Sequence, residues 1–161
     1  MAARAERAGS AAEPGDIDRA AALLGGARVL RHRLHGAIDV HEAISRGLPR
    51  GALTHLIGNV AVLRDPAALE QAVGVSQRTV QRFKLAPDKK LSPEQSGRAW
   101  KFAEILAKAT EVLGSQEEAE DWLKRPAMAL DQRRPLDLLA TPAGTKLVED
   151  LLGRIQYGVY T

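Results

Sequence analysis

A set of polar and basic side chains in the middle of the sequence has the residue types and spacing needed to contact DNA. Most of the set recurs at helical spacing on one face of a helix over residues 76–84, namely Gln77, Arg78, Gln81, Arg82 and Lys84. In the major groove Arg pairs with guanine and Gln with adenine, while Lys and Arg neutralise phosphate. The predicted DNA-binding residues are Ser76, Gln77, Arg78, Thr79, Gln81, Arg82 and Lys84.

The segment that must position this face, 69–84, is typical of the second and third helices of a helix-turn-helix. Gly74 suits the left-handed conformation that ends the first helix, and the Ser76 hydroxyl suits the cap of the next helix. Glu70 departs from the pattern, since Ala is usual four residues before the turn glycine. The apolar residues expected to lock the two helices together are Leu69, Val73, Val75, Val80 and Phe83.

The alternative to a DNA-binding motif is an ordinary helical hairpin with a solvated basic face, and the distribution of charge bears on the choice. Residues 1–90 contain 14 Lys or Arg against 9 Asp or Glu, whereas residues 91–161 contain 9 against 11. Residues 76–84 hold three basic side chains and no acidic one, as phosphate contact requires. The charge therefore favours the DNA-binding motif.

Composition predicts an all-α protein of two small domains. Aromatic residues make up 4% of the 161 residues, and alternating β-branched runs are nearly absent. We expect a disordered tail at 1–15, a helix-turn-helix DNA-binding domain at 16–90 and a small helical C-terminal domain at 91–161. Without cysteine, a signal-peptide layout or a long apolar segment, the chain is expected to be cytoplasmic and not membrane-bound.

Capping signals predict the other helices of the first half. A short helix is expected at 16–24, and Asp39 with Glu42 forms a capping-box pattern for a helix that Gly47 ends. Pro49 opens the next helix, and Asp65–Pro66 begins the one that leads into the turn. Residues 29–40 allow no assignment. The apolar stripe of the helix after Pro49 is Leu53, Leu56, Ile57, Val60 and Leu63.

The second half contains the clearest helix start of the sequence. Ser92 and Gln95 form a capping box, and the helix they begin crosses the predicted domain boundary. Thr141–Pro142 begins the last long helix. Trp100 and Trp122 are expected in the interior of the C-terminal domain or at its dimer contact. The apolar stripe of the last helix is Leu147, Val148, Leu151, Leu152 and Ile155.

An enzyme is the main alternative class, and the sequence offers little for one. His32 and His35 have a helical metal-binding spacing, but no cysteine or carboxylate cluster completes a site. His41–Glu42 begins like a zinc-protease motif, yet Ser45 stands where the second His is needed. We expect no catalytic activity, no metal and no cofactor.

The last third of the chain resembles a known family. The run Arg-Pro-Leu-Asp-Leu-Leu-Ala-Thr at 134–141, Gly144, and the ending Leu-Gly-Arg-Ile-Gln-Tyr-Gly-Val-Tyr at 152–160 look like the C-terminal toxin-binding domain of Xre/MbcA/ParS-type antitoxins. Gly-Leu-Pro at 47–49, the Gly-Val-Ser turn at 74–76, Leu-Ser-Pro-Glu at 91–94 and Trp-Leu at 122–123 fall where that family has comparable residues. The resemblance therefore runs from about residue 23 to the end.

The resemblance implies an antitoxin of a type II toxin–antitoxin system. In that family an Xre-like helix-turn-helix represses its own operon, and the C-terminal domain forms a homodimer and binds a RES-domain toxin that depletes NAD. The antitoxin C-terminus covers the entrance to the toxin active site. The implied partners are thus a RES-domain toxin, operator DNA and a second copy of the chain. The implied toxin-binding residues are Arg154, Gln156, Tyr157, Val159, Tyr160 and Thr161.

Other interpretations of the residues stay open. Two of six aromatic residues, Tyr157 and Tyr160, lie among the last five positions, where a tyrosine supplies contact area and a hydrogen bond. They either anchor a partner or fold back on the domain's own core. Two alternatives to an antitoxin also stay open for the whole chain. One is a plain Xre-like DNA-binding regulator whose second domain only dimerises or binds another ligand. The other is a helical adaptor with no DNA role.

Overall fold

The computed structural model describes residues 14–158. This part of the chain forms ten α-helices and two short 3₁₀ turns at Ala61–Arg64 and Met128–Leu130, with no β-strand. The all-α prediction is confirmed. None of these helices is long and apolar enough to cross a membrane. The helices are α1 (Pro14–Leu23), α2 (Gly26–Leu30), α3 (Ala37–Arg46), α4 (Arg50–Asn59), α5 (Pro66–Val73), α6 (Gln77–Lys84), α7 (Pro93–Leu113), α8 (Gln116–Lys124), α9 (Pro135–Leu138) and α10 (Pro142–Gln156).

Side-chain caps begin α5, α7 and α10 at the predicted positions. The Ser92 hydroxyl accepts from the Gln95 amide, and the Gln95 side chain accepts from the Ser92 amide, both at 3.0 Å. Asp65 accepts from the Ala68 amide at 3.0 Å and begins α5. Thr141 caps α10 in the same way. Each cap satisfies an amide that has no partner inside its own helix.

The predicted capping box of Asp39 and Glu42 is wrong. Gly36, in extended conformation, precedes α3, so Asp39 is the third helical residue and its carboxylate accepts from the His35 amide at 2.8 Å. An acid in the first turn is stabilised there by the helix dipole. Glu42 instead pairs with Arg46 at 2.8 Å. Gly47 ends the helix as predicted, with φ of 90°.

The first helix and the unassigned segment also depart from the sequence expectations. α1 begins at Pro14, two residues before the predicted start, so Pro14 and Gly15 of the expected tail are helical. Residues 1–13 lie outside the described part of the chain. The segment at 29–40 contains the end of α2, a loop and the start of α3. Arg31, which ends α2 in left-handed conformation, forms an ion pair with Asp88 at 2.6 Å.

Helix α7 lies at the centre of the fold, because it packs against α1, α3, α5, α8 and α10. Trp100 is 3% exposed, which confirms its interior placement, and Trp122 is half-buried against the same core. The buried apolar side chains form one continuous cluster from Ile17 to Leu152, so the two predicted domains share a core. Leu147 is 52% exposed and does not belong to the buried stripe of α10, contrary to expectation.

A buried carboxylate joins the two halves of the chain. Glu120 of α8 is 9% exposed and accepts from the Val62 amide at 2.7 Å. Gln116 donates to the other carboxylate oxygen of Glu120 at 3.1 Å and to the Asn59 carbonyl at 2.8 Å. These bonds satisfy polar groups at the break between α4 and the 3₁₀ turn. The C-terminal half therefore supports the element that leads into α5.

Candidate DNA-binding face and C-terminal segment

The helix-turn-helix forms as predicted. Gly74 ends α5 in left-handed conformation, with φ of 74°, and its amide donates to the Glu70 carbonyl at 2.9 Å. Two residues later the Ser76 hydroxyl accepts from the Thr79 amide at 3.1 Å and begins α6. The left-handed residue turns the chain sharply, and the cap starts the new helix at once.

A compact apolar contact holds α6 against its neighbours. The Glu70 side chain is exposed, so the unusual acid stays outside the contact between α5 and α6. Burial of the apolar side chains between the helices stabilises one orientation of α6 relative to α5 and α4. All five residues predicted to lock the helices are at most 4% exposed: Leu69, Val73, Val75, Val80 and Phe83.

The opposite face of α6 presents the predicted polar set to solvent. Three of its members are cations, and none of them forms an ion pair within residues 14–158, so all three are available to a polyanion. Ser76 and Thr79 differ from the rest, because both are half-buried and their hydroxyls are 3.0 Å apart. The exposed members are Gln77, Arg78, Gln81, Arg82 and Lys84.

Two arginines that the sequence analysis did not single out support this face. Arg98 of α7 donates to the Gln71 carbonyl at the end of α5, at 2.7 Å. The Arg50 guanidinium of α4 lies over the Phe83 ring of α6, with 4.6 Å between its central carbon and the ring centroid. The partners are 27 and 33 positions away in sequence, so no short-range pattern indicated either contact.

The described end of the chain, from Gln156 to Gly158, is exposed to solvent. Gln156 is exposed and Tyr157 is 80% exposed, whereas Arg154 is half-buried. The alternative in which Tyr157 folds back on the domain's own core is therefore wrong. Val159, Tyr160 and Thr161, the other implied toxin-binding residues, lie outside the described residues.

Remaining polar clusters have local roles. Arg134 forms two hydrogen bonds with the Asp137 carboxylate, at 2.8 and 2.9 Å, and this pairing raises the pKa of Arg134 above its ordinary value. His32 and His35 are both exposed. In residues 14–158 no three His, Cys, Asp or Glu side chains come together in a group that could hold a metal ion.

Two protein families match successive parts of the chain. The antitoxin Xre-like helix-turn-helix domain matches residues 39–104, and the antitoxin Xre/MbcA/ParS C-terminal toxin-binding domain matches residues 108–158. The two matches meet inside α7, which is the helix that both halves of the core share.

Curated relatives agree with these matches. A protein named Antitoxin Xre from Yersinia enterocolitica is 31% identical over 59% of this chain and 64% of its own length, so less than two thirds of that relative is covered. A protein of the same name from Pseudomonas putida is 32% identical over 74% of this chain and 72% of its own length. A protein named Prs ADP-ribosylating antitoxin from Sphingobium sp. is 26% identical over 76% of this chain and 81% of its own length. The chain belongs to the Xre family of antitoxins of toxin–antitoxin systems.

Proposed function

We propose that this antitoxin neutralises a RES-domain toxin that depletes NAD, by covering the toxin active site with its C-terminal segment, and that it represses its own operon through α6. The observation that carries the proposal is the exposed end of α10. Tyr157 is 80% exposed and lies in the region that matches a toxin-binding domain. An exposed tyrosine offers a large contact area at low conformational cost and is a common anchor of protein interfaces.

The DNA arm of the proposal is supported by the face of α6. The predicted DNA-binding positions of α6 include exposed glutamines and three cations that form no ion pair within residues 14–158. A single small module binds DNA weakly, whereas two copies place two recognition helices on inverted half-sites. We therefore propose a homodimer as the species that binds the operator.

A second candidate for the partner is a toxin that transfers ADP-ribose to protein. The name of the Sphingobium relative couples an antitoxin with ADP-ribosylation of Prs. Transfer of ADP-ribose consumes NAD, so both toxin chemistries lower cellular NAD. They differ in product, because only the transferase leaves ADP-ribose covalently attached to a target protein.

Co-expression with the protein encoded beside this chain tests the proposal. The antitoxin is supplied as the whole chain, as the chain lacking residues 154–161, and as Tyr157→Ala. Ile38→Ala is the matched control, because Ile38 is 71% exposed but lies on α3 in the other half of the chain. Growth, cellular NAD and protein-bound ADP-ribose are measured, and the melting temperature of each variant is checked.

The expected result is that the neighbouring protein alone stops growth and lowers NAD. The whole chain and Ile38→Ala restore both, while Tyr157→Ala and the shortened chain restore less, and Tyr157→Ala does so at an unchanged melting temperature. Protein-bound ADP-ribose in the toxin-only culture selects the transferase over the RES-domain toxin. A harmless neighbour, or equal rescue by the shortened chain, contradicts the assignment of the partner or of the tail.

A further inference from the structure

Arg50, the first residue of α4, has a side-chain N–H group without a hydrogen-bond acceptor. Its guanidinium carbon lies 4.6 Å from the centroid of the Phe83 ring. The Nε atom is buried and has no hydrogen-bond partner, and the side chain forms no ion pair within residues 14–158. Of the five N–H donors of the guanidinium, the one on Nε is buried without an acceptor, which is unfavourable. The arrangement is suited to an anionic ligand.

We propose that Arg50 contacts a backbone phosphate of the DNA duplex that α6 binds, and that the neighbouring Lys89 strengthens this contact. The proposal rests on the proposed DNA-binding function and assigns it a residue outside the helix-turn-helix. Arginine recognises phosphate through paired N–H···O bonds, and stacking on an aromatic ring fixes the orientation of its planar group.

The position of Arg50 beside α6 supports a phosphate contact over a base contact. Phe83 is 4% exposed and lies on the buried face of α6, opposite the polar set. The major groove is about 12 Å wide and a helix with its side chains about 10 to 12 Å, so a bound helix has a phosphate backbone on each side. Arg50 stacks on this buried face and so stands outside the polar set assigned to the groove, which leaves the phosphate backbone, and not a base, as the part of the duplex for it to contact.

The loop that follows α6 brings a second cation to the same place. The Arg50 amide donates to the Lys89 carbonyl at 2.8 Å, and the Gly51 amide donates to the Pro87 carbonyl at 3.0 Å. These bonds hold the loop against the start of α4 and occupy the amides there, so a phosphate is left to the side chains. Lys89 is exposed and forms no ion pair in the described part of the chain.

The test measures the affinity of the full chain for two duplexes over a series of salt concentrations. One duplex covers the region upstream of the chain's own gene, and the other has an unrelated sequence. The variants are Arg50→Gln, Arg50→Lys and Lys89→Gln. Arg125→Gln is the matched control, because Arg125 is exposed at the end of α8 in the C-terminal half. Melting temperatures identify any variant that is poorly folded.

For each copy bound, loss of one phosphate contact lowers the slope of log affinity against log salt by about 0.9. We expect Arg50→Gln and Lys89→Gln to show this smaller slope. Each should also lower the affinity for both duplexes by the same factor, about threefold or more at low salt. Arg50→Lys keeps the charge and is expected to keep the slope. Arg125→Gln is expected to match the unaltered chain.

Three outcomes overturn the proposal. Unchanged slopes for Arg50→Gln and Lys89→Gln, in a chain that still binds its upstream duplex, remove Arg50 from the interface but leave the DNA-binding function intact. If Arg50→Gln and Arg50→Lys both lower the affinity for the upstream duplex only, Arg50 acts by packing on Phe83 and not by contacting phosphate. Absence of binding by the unaltered chain even at low salt overturns the DNA-binding function together with this inference.

Discussion

Arg98 and Gly74 lie against each other at the turn of the helix-turn-helix, although they are 24 positions apart. The Arg98 Nη2 atom donates to the Gln71 carbonyl at 2.7 Å and is 3.4 Å from the Leu139 carbonyl. The guanidinium fills the space that a Cβ on Gly74 would enter. Arg98 of α7 thus fixes the end of α5 and links it to the turn after α9.

We expect Gly74→Ala to destabilise the protein for two reasons. Its φ of 74° lies in the left-handed region, where a side chain costs about 1 to 2 kcal/mol. The added methyl group also displaces Arg98 from the Gln71 carbonyl. Gly114→Ala is the control, since Gly114 ends α7 with φ of 102° and has open space around it. Urea unfolding should show a larger loss for Gly74→Ala, and equal losses would contradict a role for Arg98.

Ser76→Ala is expected to reduce both stability and DNA affinity. Loss of an N-cap costs about 0.5 to 2 kcal/mol, and here the Thr79 amide loses its acceptor. Ser115→Ala removes the equivalent 3.1 Å bond to the Glu118 amide at the start of α8. Urea unfolding should show similar losses for the two variants, while binding to the upstream duplex should weaken only for Ser76→Ala. An equal effect on DNA binding would show that lower stability, and not the position of α6, causes it.

Arg82→Ala is expected to weaken binding to the upstream duplex by about 1 to 3 kcal/mol if Arg82 contacts a base. Arg82 is exposed on α6 and forms no ion pair in residues 14–158, so folding should not change. Binding to an unrelated duplex should weaken less, because base contacts carry the sequence preference. Arg125→Ala serves as the charge-matched control. Unchanged affinity and unchanged salt dependence would remove Arg82 from the interface.

The contact of Lys101 with α10 predicts a dependence of stability on alkaline pH. Burial lowers the pKa of Lys101, but hydrogen bonds at 2.9 Å to Glu149 and Glu104 outweigh it and raise the pKa above the ordinary value of 10.5. The stabilisation is therefore fully present below about pH 10.5 and is lost as pH rises through the higher folded value.

Thermal unfolding of Lys101→Met and Lys101→Arg checks this dependence. The unaltered chain should be more stable than Lys101→Met at pH 7, and the difference should shrink above pH 10.5. Lys101→Arg should keep its stability relative to Lys101→Met in that range, because guanidinium stays protonated. A difference that does not change with pH would mean that packing, and not the ion pairs to Glu104 and Glu149, carries the effect.

Several features of the helix-turn-helix and of the helix starts follow from the sequence alone, because each depends on residues three or four positions apart. The Ser76 cap, the Ser92 and Gln95 capping box and the left-handed Gly74 are interactions of this range. The polar face of α6 follows from helical spacing as well. The same local reasoning failed at Asp39, because the extended Gly36 placed the helix start earlier than the acid pattern indicated.

Contacts between distant segments depended on the tertiary structure. The stack of Arg50 on Phe83, the bond from Arg98 to Gln71 and the buried Glu120 each join residues 27 or more positions apart. No periodicity in the sequence encodes such a pair, since it forms only when the core brings two helices together. The exposure of Leu147 has the same origin, because helical spacing places it beside Val148 but only packing decides which of the two is covered.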